Sequence, residues 1–265
     1  MPSDPSSVLS RPADAPDLVL RWADPASHGS DGVADCYLPE IPGRPQHAPV
    51  LLALHGGFWR QEYDRRHLRP LAVALRGLGW LVVLPEYRRT GWEAVAEDLR
   101  TLRRRLPALL AEVAPGRGAA GPPTLLGHSA GGQLAIWWAL DARPEERPAR
   151  VVALAPVADL AAAYADGLDA GAVAALLGGG PGEVEAYGSA DVAARLRAGD
   201  RPGCPLVVLH GTEDRQVPVG YAQRLPGADV RILPGIEHYG LIDPLSDAWP
   251  ETVAALRSPS RPSTA

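Results

Sequence analysis

The residues best placed to do chemistry are Gly127-His128-Ser129-Ala130-Gly131, a Gly-x-Ser-x-Gly pentad followed at once by Gly132. Residues 123–126 before it form a short apolar run that reads as a buried strand. Residues 133–140 after it are helix formers, apolar on more than one side. Ser129 therefore sits where strand must turn into helix. Such a turn needs small residues at two sites, so that strand and helix can approach, and it leaves the middle side chain exposed in a strained pose. A hydroxyl there lies at the positive end of a helix dipole, which favours negative charge developing on a nearby oxygen. Because a serine hydroxyl is a poor nucleophile at neutral pH, the rest of the chain must supply a base, a carboxylate and oxyanion donors.

Three further segments carry those residue types. His55-Gly56-Gly57-Phe58-Trp59 follows the apolar run 49–54, His210-Gly211-Thr212-Glu213-Asp214 follows 206–209, and His238-Tyr239 closely follows 229–233. In a mostly parallel sheet, ligands bind beyond the carboxyl ends of the strands, where all of these fall. His238 is the candidate base, since an imidazole can take and return a proton near pH 7. His28, His47 and His67 precede the core motifs, His128 and His210 sit inside turns, and His55 is expected to order the glycine loop beside it. Asp214 is the candidate acid, with Asp159 and Asp243 as competitors. Gly57 or Phe58, together with Ala130, would offer backbone N–H groups to an oxyanion. Trp59, Tyr87 and Tyr239 adjoin strand ends and are candidates to line a substrate pocket, whereas Trp137 and Trp138 read as core.

The elements that must position these residues alternate strand and helix. Strands are predicted at 18–22, 33–38, 49–54, 80–84, 123–126, 151–155, 206–209 and 229–233, with helices over 67–78, 93–113, the segment after Gly132, and 245–256. The first two strands read as an antiparallel edge hairpin. The rest give a mostly parallel sheet of about eight strands, an α/β fold with helices on both faces. Residues 161–204 break the rhythm with an Ala/Gly-rich stretch, read as a small lid over one end of the sheet. One domain is expected over 17–257, between Pro/Ser-rich tails at 1–16 and 258–265 that offer too little apolar surface to order.

This layout resembles the α/β-hydrolase superfamily over about residues 18 to 256, including the chain order Ser129, Asp214, His238. The His55-Gly56-Gly57-Phe58-Trp59 segment resembles the His-Gly-Gly-x-Trp segment of kynurenine-formamidase-like and related small esterases. His210-Gly211-Thr212-x-Asp214 with the later His238 is similar to the acid and base segments of the same group. The resemblance implies a Ser-His-Asp triad that cleaves a carboxylic ester or an aryl formamide through an acyl-enzyme. It also leaves room for a peptidase or amidase, and for a thioesterase or cyclase. A ligand-binding protein on the same scaffold is a further alternative, though such proteins usually lose a triad member, and here each has a candidate.

Composition bounds the partners. The 265 residues carry a net charge of −5, and all 26 basic residues are Arg, so nucleic acid is not an expected partner. Arg103-Arg104-Arg105, the densest basic run, reads as a solvated helix face. Cys36 and Cys204 offer neither a disulfide framework nor a metal spacing, and no metal or organic cofactor is implied. No stretch reaches the ~18 apolar residues of a membrane span, and residues 1–16 lack the apolar core of a signal peptide, so a cytoplasmic location is expected. The expected substrate is a small molecule, mainly apolar or aromatic, and the chain is compatible with a homodimer. Arg88 and Arg89 follow a strand end, where they could receive a substrate carboxylate or pair with Glu86 or Glu93.

Overall fold

Five-residue apolar runs that alternate neither with charge nor with polarity need cover on both faces, and the sheet provides it. The structure, a computed structural model, describes residues 5–39, 48–113 and 121–257. Eight strands form one sheet: β1 (Leu18–Arg21), β2 (Val33–Tyr37), β3 (Val50–Leu54), β4 (Leu81–Pro85), β5 (Thr124–His128), β6 (Arg150–Leu154), β7 (Leu206–Gly211) and β8 (Asp229–Leu233). Their spatial order is β1-β2-β4-β3-β5-β6-β7-β8. β1 and β2 pair antiparallel, as does β2 with β4, and the remaining neighbours are parallel.

Because side chains alternate across a strand, each parallel strand feeds two cores. Leu52 and Leu54 of β3 pack on one face with Leu125 of β5 and the helices Trp92–Val113 and Ala130–Asp141. Leu51 and Ala53 face the other way, against Leu71 and Leu75 of helix Arg69–Gly77 and Ala255 and Leu256 of helix Trp249–Arg257. Ten consecutive residues of the central helix, Ala130 to Ala139, are buried, which explains an apolar pattern with no polar side. Trp137 and Trp138 are core residues, as expected. Within the Arg103-Arg104-Arg105 run, Arg103 pairs with Asp141 and Glu146 and Arg105 donates to the Trp22 carbonyl, so only Arg104 fits the solvated reading without qualification.

The helix predicted over 67–78 is two pieces. Asp64 accepts from Arg66 N at 2.8 Å and starts a 3-10 turn, Arg65–Leu68; Pro70, which has no N–H to give, sits in the first turn of a new helix at Arg69. The last helix begins at Trp249 instead of 245, because Asp243 and Ser246 hold the preceding chain in turns. Residues 161–204 fold into short helices, Leu160–Ala165, Ala172–Leu177, Tyr187–Ala190 and Val192–Arg197. The insertion is tied down where Gln133 Nε2 donates to the Ala190 carbonyl at 2.9 Å and Trp92 Nε1 to Ser189 Oγ at 3.0 Å.

The reading of residues 1–16 as a tail needs correction over residues 5–16, residues 1–4 lying outside the described ones. Pro5–Ser10 forms a 3-10 turn whose Val8 is wholly buried with Tyr37, Leu51 and Leu68. Arg11 closes on Asp243 through two bonds of 2.5 and 2.6 Å, and the Tyr37 hydroxyl donates to the Asp14 carbonyl at 3.1 Å. One well-placed valine outweighs a Pro/Ser-rich average. The expected tail at 258–265 lies outside the described residues. Among those described, no helix is long and apolar enough to cross a membrane. Deleting residues 1–10 is expected to lower the melting temperature by about 5 °C, since burying a valine contributes roughly 1.5–3 kcal/mol and a chain of this size loses about 2–4 °C per kcal/mol. An unchanged melting curve would show that the segment does not pack on the body.

Candidate active site

At the end of β5 the chain turns so tightly that side chains are excluded. A Cβ on Gly127 would lie 2.0 Å from the Gly131 carbonyl oxygen, and one on Gly131 would lie 2.1 Å from that of Leu54. Ser129, between them, takes φ +56° and ψ −120°, a conformation that costs a non-glycine residue on the order of 1–3 kcal/mol. Its amide donates to the Leu154 carbonyl at 2.8 Å, and its own carbonyl accepts from Gly132 and Val157. These bonds hold the strained residue from β6 and from the helix it starts. Ala130 opens that helix, whose first N–H groups have no intrahelical acceptor.

His238 and Asp214 meet from separate loops after β8 and β7. His238 Nδ1 lies 2.7 Å from Asp214 Oδ2. The other carboxylate oxygen accepts the backbone N–H groups of Gln216 and Val217 at 2.9 and 2.8 Å. Burial alone would raise this carboxyl, but the hydrogen bonds from His210, His238 and the Val217 N–H hold it well below the usual carboxylate range. Asp214 therefore stays ionised beside the imidazole. The competing carboxylates are engaged elsewhere: Asp159 caps helix Leu160–Ala165 and pairs with Arg197 at 2.8 Å, while Asp243 holds Arg11.

The loop after β3 lies against the elbow. A Cβ on Gly56 would meet the His128 carbonyl oxygen at 2.8 Å and Ser129 Cβ at 3.0 Å; one on Gly57 would strike Tyr63. Gly57, Phe58 and Trp59 all have positive φ. His55 braces this loop, as expected: its ring contacts the Gly56 carbonyl at 2.8 Å and Glu86 Oε1 at 3.0 Å. Burial would raise the Glu86 carboxyl. The hydrogen bond and electrostatic attraction of His55, with Arg89 and the Arg65 N–H, hold it down at about 2 instead.

No family model matches the chain, and no curated protein does. Solved structures do. Esterase B from Lactobacillus rhamnosis shares 19% identity over 95% of this chain and 87% of its own, with a TM-score of 0.71. A putative thioesterase from Silicibacter sp. TM1040 shares 23% over 95% and 88%, TM-score 0.64, and Thermogutta terrifontis esterase 2 shares 17% over 92% and 94%, TM-score 0.65. The chain has the α/β-hydrolase fold.

In this α/β-hydrolase fold, the carboxyl ends of the strands enclose a cavity of about 50 Å³ lined by Ser129, His238, Gly57, Phe58 and Tyr239. Tyr63, His67, His128, Gln216, Leu9 and Asp169 complete the lining, and Asp169 is paired with Arg60 of the glycine loop. Two aromatic residues proposed for the pocket do not line it. Tyr87 is wholly buried, stacks on His55 with ring centroids 4.4 Å apart, and donates its hydroxyl to the His55 carbonyl at 2.8 Å. Trp59, also buried, packs in the core beside Phe58. Nor do Arg88 and Arg89 face the cavity: Arg88 pairs with Asp98 and Glu97, and Arg89 with Glu86. A position at a strand end tells where a side chain starts but not which way it leans.

Two histidines set aside as turn residues hold the site together. His128 Nε2 lies 3.0 Å from the His238 carbonyl, tying the loop that carries His238 to the elbow. His210 Nε2 lies 2.9 Å from the Val217 carbonyl and 3.2 Å from Asp214 Oδ2, while its Nδ1 is buried without a partner. The signal was inside the motifs themselves, in the residue before Ser129 and the one that opens His-Gly-x-x-Asp. Burial, then the neighbouring histidines, hold His128 well below 6.5, and burial with His55 lowers His67 to about 4. Both are therefore neutral in the native state and gain protons on unfolding below pH 6.5. Stability is expected to be flat from pH 8 to 7 and to fall by several degrees of Tm between pH 6.5 and 4, with a shallower fall in His67→Gln. An identical pH dependence in the variant would remove His67 as a cause.

Proposed function

We propose that this chain is a serine hydrolase acting on esters with small, uncharged acyl groups. The observation that carries the reading is the 2.7 Å His238–Asp214 contact beside a strained Ser129 in the same cavity. In this reading Ser129 attacks the carbonyl while His238 takes its proton and passes it to the leaving group. Asp214 fixes the imidazole tautomer and stabilises the imidazolium without becoming protonated. The N–H groups of Ala130 and of Gly57 or Phe58 receive the oxyanion, each such donor being worth roughly 2.7–4 kcal/mol in the transition state. Water then repeats the sequence on the acyl-enzyme. That the fold's solved neighbours include esterases agrees with this reading.

Size and charge narrow the substrate. So small a cavity, partly open to solvent, favours a short acyl group, so an aryl formamide remains a second substrate class. Among the described residues, no arginine lines the cavity, and its one carboxylate, Asp169, is already paired. Arg60 is taken up by Asp169, so a substrate carboxylate would find no unpaired arginine in the lining. Short aryl esters are therefore expected to be hydrolysed more efficiently than N-formylkynurenine. The reverse order in kcat/KM would require a cation the cavity does not show.

Ser129→Ala is expected to fold normally and lose about three orders of magnitude or more in kcat. Retention of a tenth of the activity would dismiss Ser129 as nucleophile. For the acid, Asp214→Asn should lower kcat by about 10⁴ while Asp159→Asn stays near wild type. Collapse of Asp159→Asn alone would move the acid to the loop after β6.

A further inference from the structure

We propose that the N-terminal segment Pro5–Ser10 is a wall of the substrate cavity, and that Leu9 is a specificity-determining residue that limits the acyl group to a short one. This rests on the hydrolysis proposed at Ser129. Leu9 reaches the cavity that holds Ser129 and His238, although 120 residues of chain separate it from the nucleophile. It is half-buried and packs on the core of one sheet face, so it is neither a solvent-facing tail residue nor a wholly internal one.

The segment is fastened on both sides of Leu9. On one side Val8 is wholly buried with Leu51 and Leu68. On the other, Arg11 grips both oxygens of Asp243, and Asp243 directly follows the turn Tyr239–Ile242 that begins beside His238. Further along, the Asp14 carbonyl accepts from Tyr37, and Leu38 N donates to Asp17 at 2.8 Å. Leu9 thus spans the gap between the turn Arg65–Leu68, which carries His67, and the turn that follows the base. It adds an aliphatic side chain to a cavity otherwise lined by Gly57 and by aromatic and polar side chains. In so small a cavity, carbons added to the acyl chain compete with that leucine for space.

The test is a chain-length series of p-nitrophenyl esters, acetate, butyrate and hexanoate, with the full-length protein, Leu9→Ala and Leu9→Phe. The readout is the hexanoate-to-acetate ratio of kcat/KM. Shortening the wall is expected to raise that ratio roughly fivefold or more, and lengthening it to lower the ratio. A merely structural role would move both variants in the same direction. Deletion of residues 1–10, scored as the same ratio, should resemble Leu9→Ala. Ratios unchanged in all three variants, with Ser129 still labelled by an alkyl fluorophosphonate, would overturn the proposal and leave the hydrolase reading standing. Failure of wild-type Ser129 to take the phosphonate would overturn both.

Discussion

The elbow at Ser129 is first of all a steric constraint. The central helix presses on β3 and β5 until carbonyl oxygens stand about 2 Å from where the Cβ atoms of Gly127 and Gly131 would be. No side chain fits in that gap, and the turn between the two glycines holds Ser129 at φ +56°. The strain is held by burial. Ten residues of the helix are interior, and bonds from Leu154, Gly132 and Val157 fix the serine from both sides. Relaxing the helix outward would relieve Ser129 and expose Leu134, Trp137 and Trp138, which is a far larger loss of buried apolar surface.

Around that fixed point the loops are held by charge instead of by shape. Glu86 takes Arg65 and Arg89 and a hydrogen bond with His55, while Asp35 takes Arg65 and Arg69, so the glycine loop rests on a buried lattice of ion pairs and hydrogen bonds behind it. Such groups carry a heavy desolvation cost, and removal of one partner leaves a buried charge uncompensated, typically by 3–5 kcal/mol. That makes the lattice an all-or-none brace. Asp214 follows the same logic on the other side of the cavity, with two N–H groups on one oxygen and two histidines at the other.

Much of this was legible in the residues. Apolar runs such as Val50–Leu54 read as strands covered on both faces, and the glycine spacing around Ser129 is the direct imprint of the close approach. Other features depend on single side chains and escape composition. Val8 orders a segment that is otherwise Pro- and Ser-rich. Tyr87, Arg88 and Arg89 follow β4 as expected but turn into the brace behind the loop, Tyr87 onto the His55 ring and carbonyl, Arg88 onto Asp98 and Arg89 onto Glu86. His128 gains its role only from the packing of a distant loop, the one that carries His238, whereas His210 bonds the Val217 carbonyl and Asp214 in the loop that follows its own strand.

The central claim, that Ser129 is an acylated nucleophile served by His238 and Asp214, is most directly tested by trapping the intermediate. Acid-quenching the enzyme within its first turnovers of p-nitrophenyl acetate, followed by peptide mass spectrometry, reads the acylated residue. The expected result is one acetyl group on the peptide bearing Ser129, alongside a burst of p-nitrophenol of matching size. Steady hydrolysis with no acetyl on that peptide, or with the acetyl on another residue, would contradict the account.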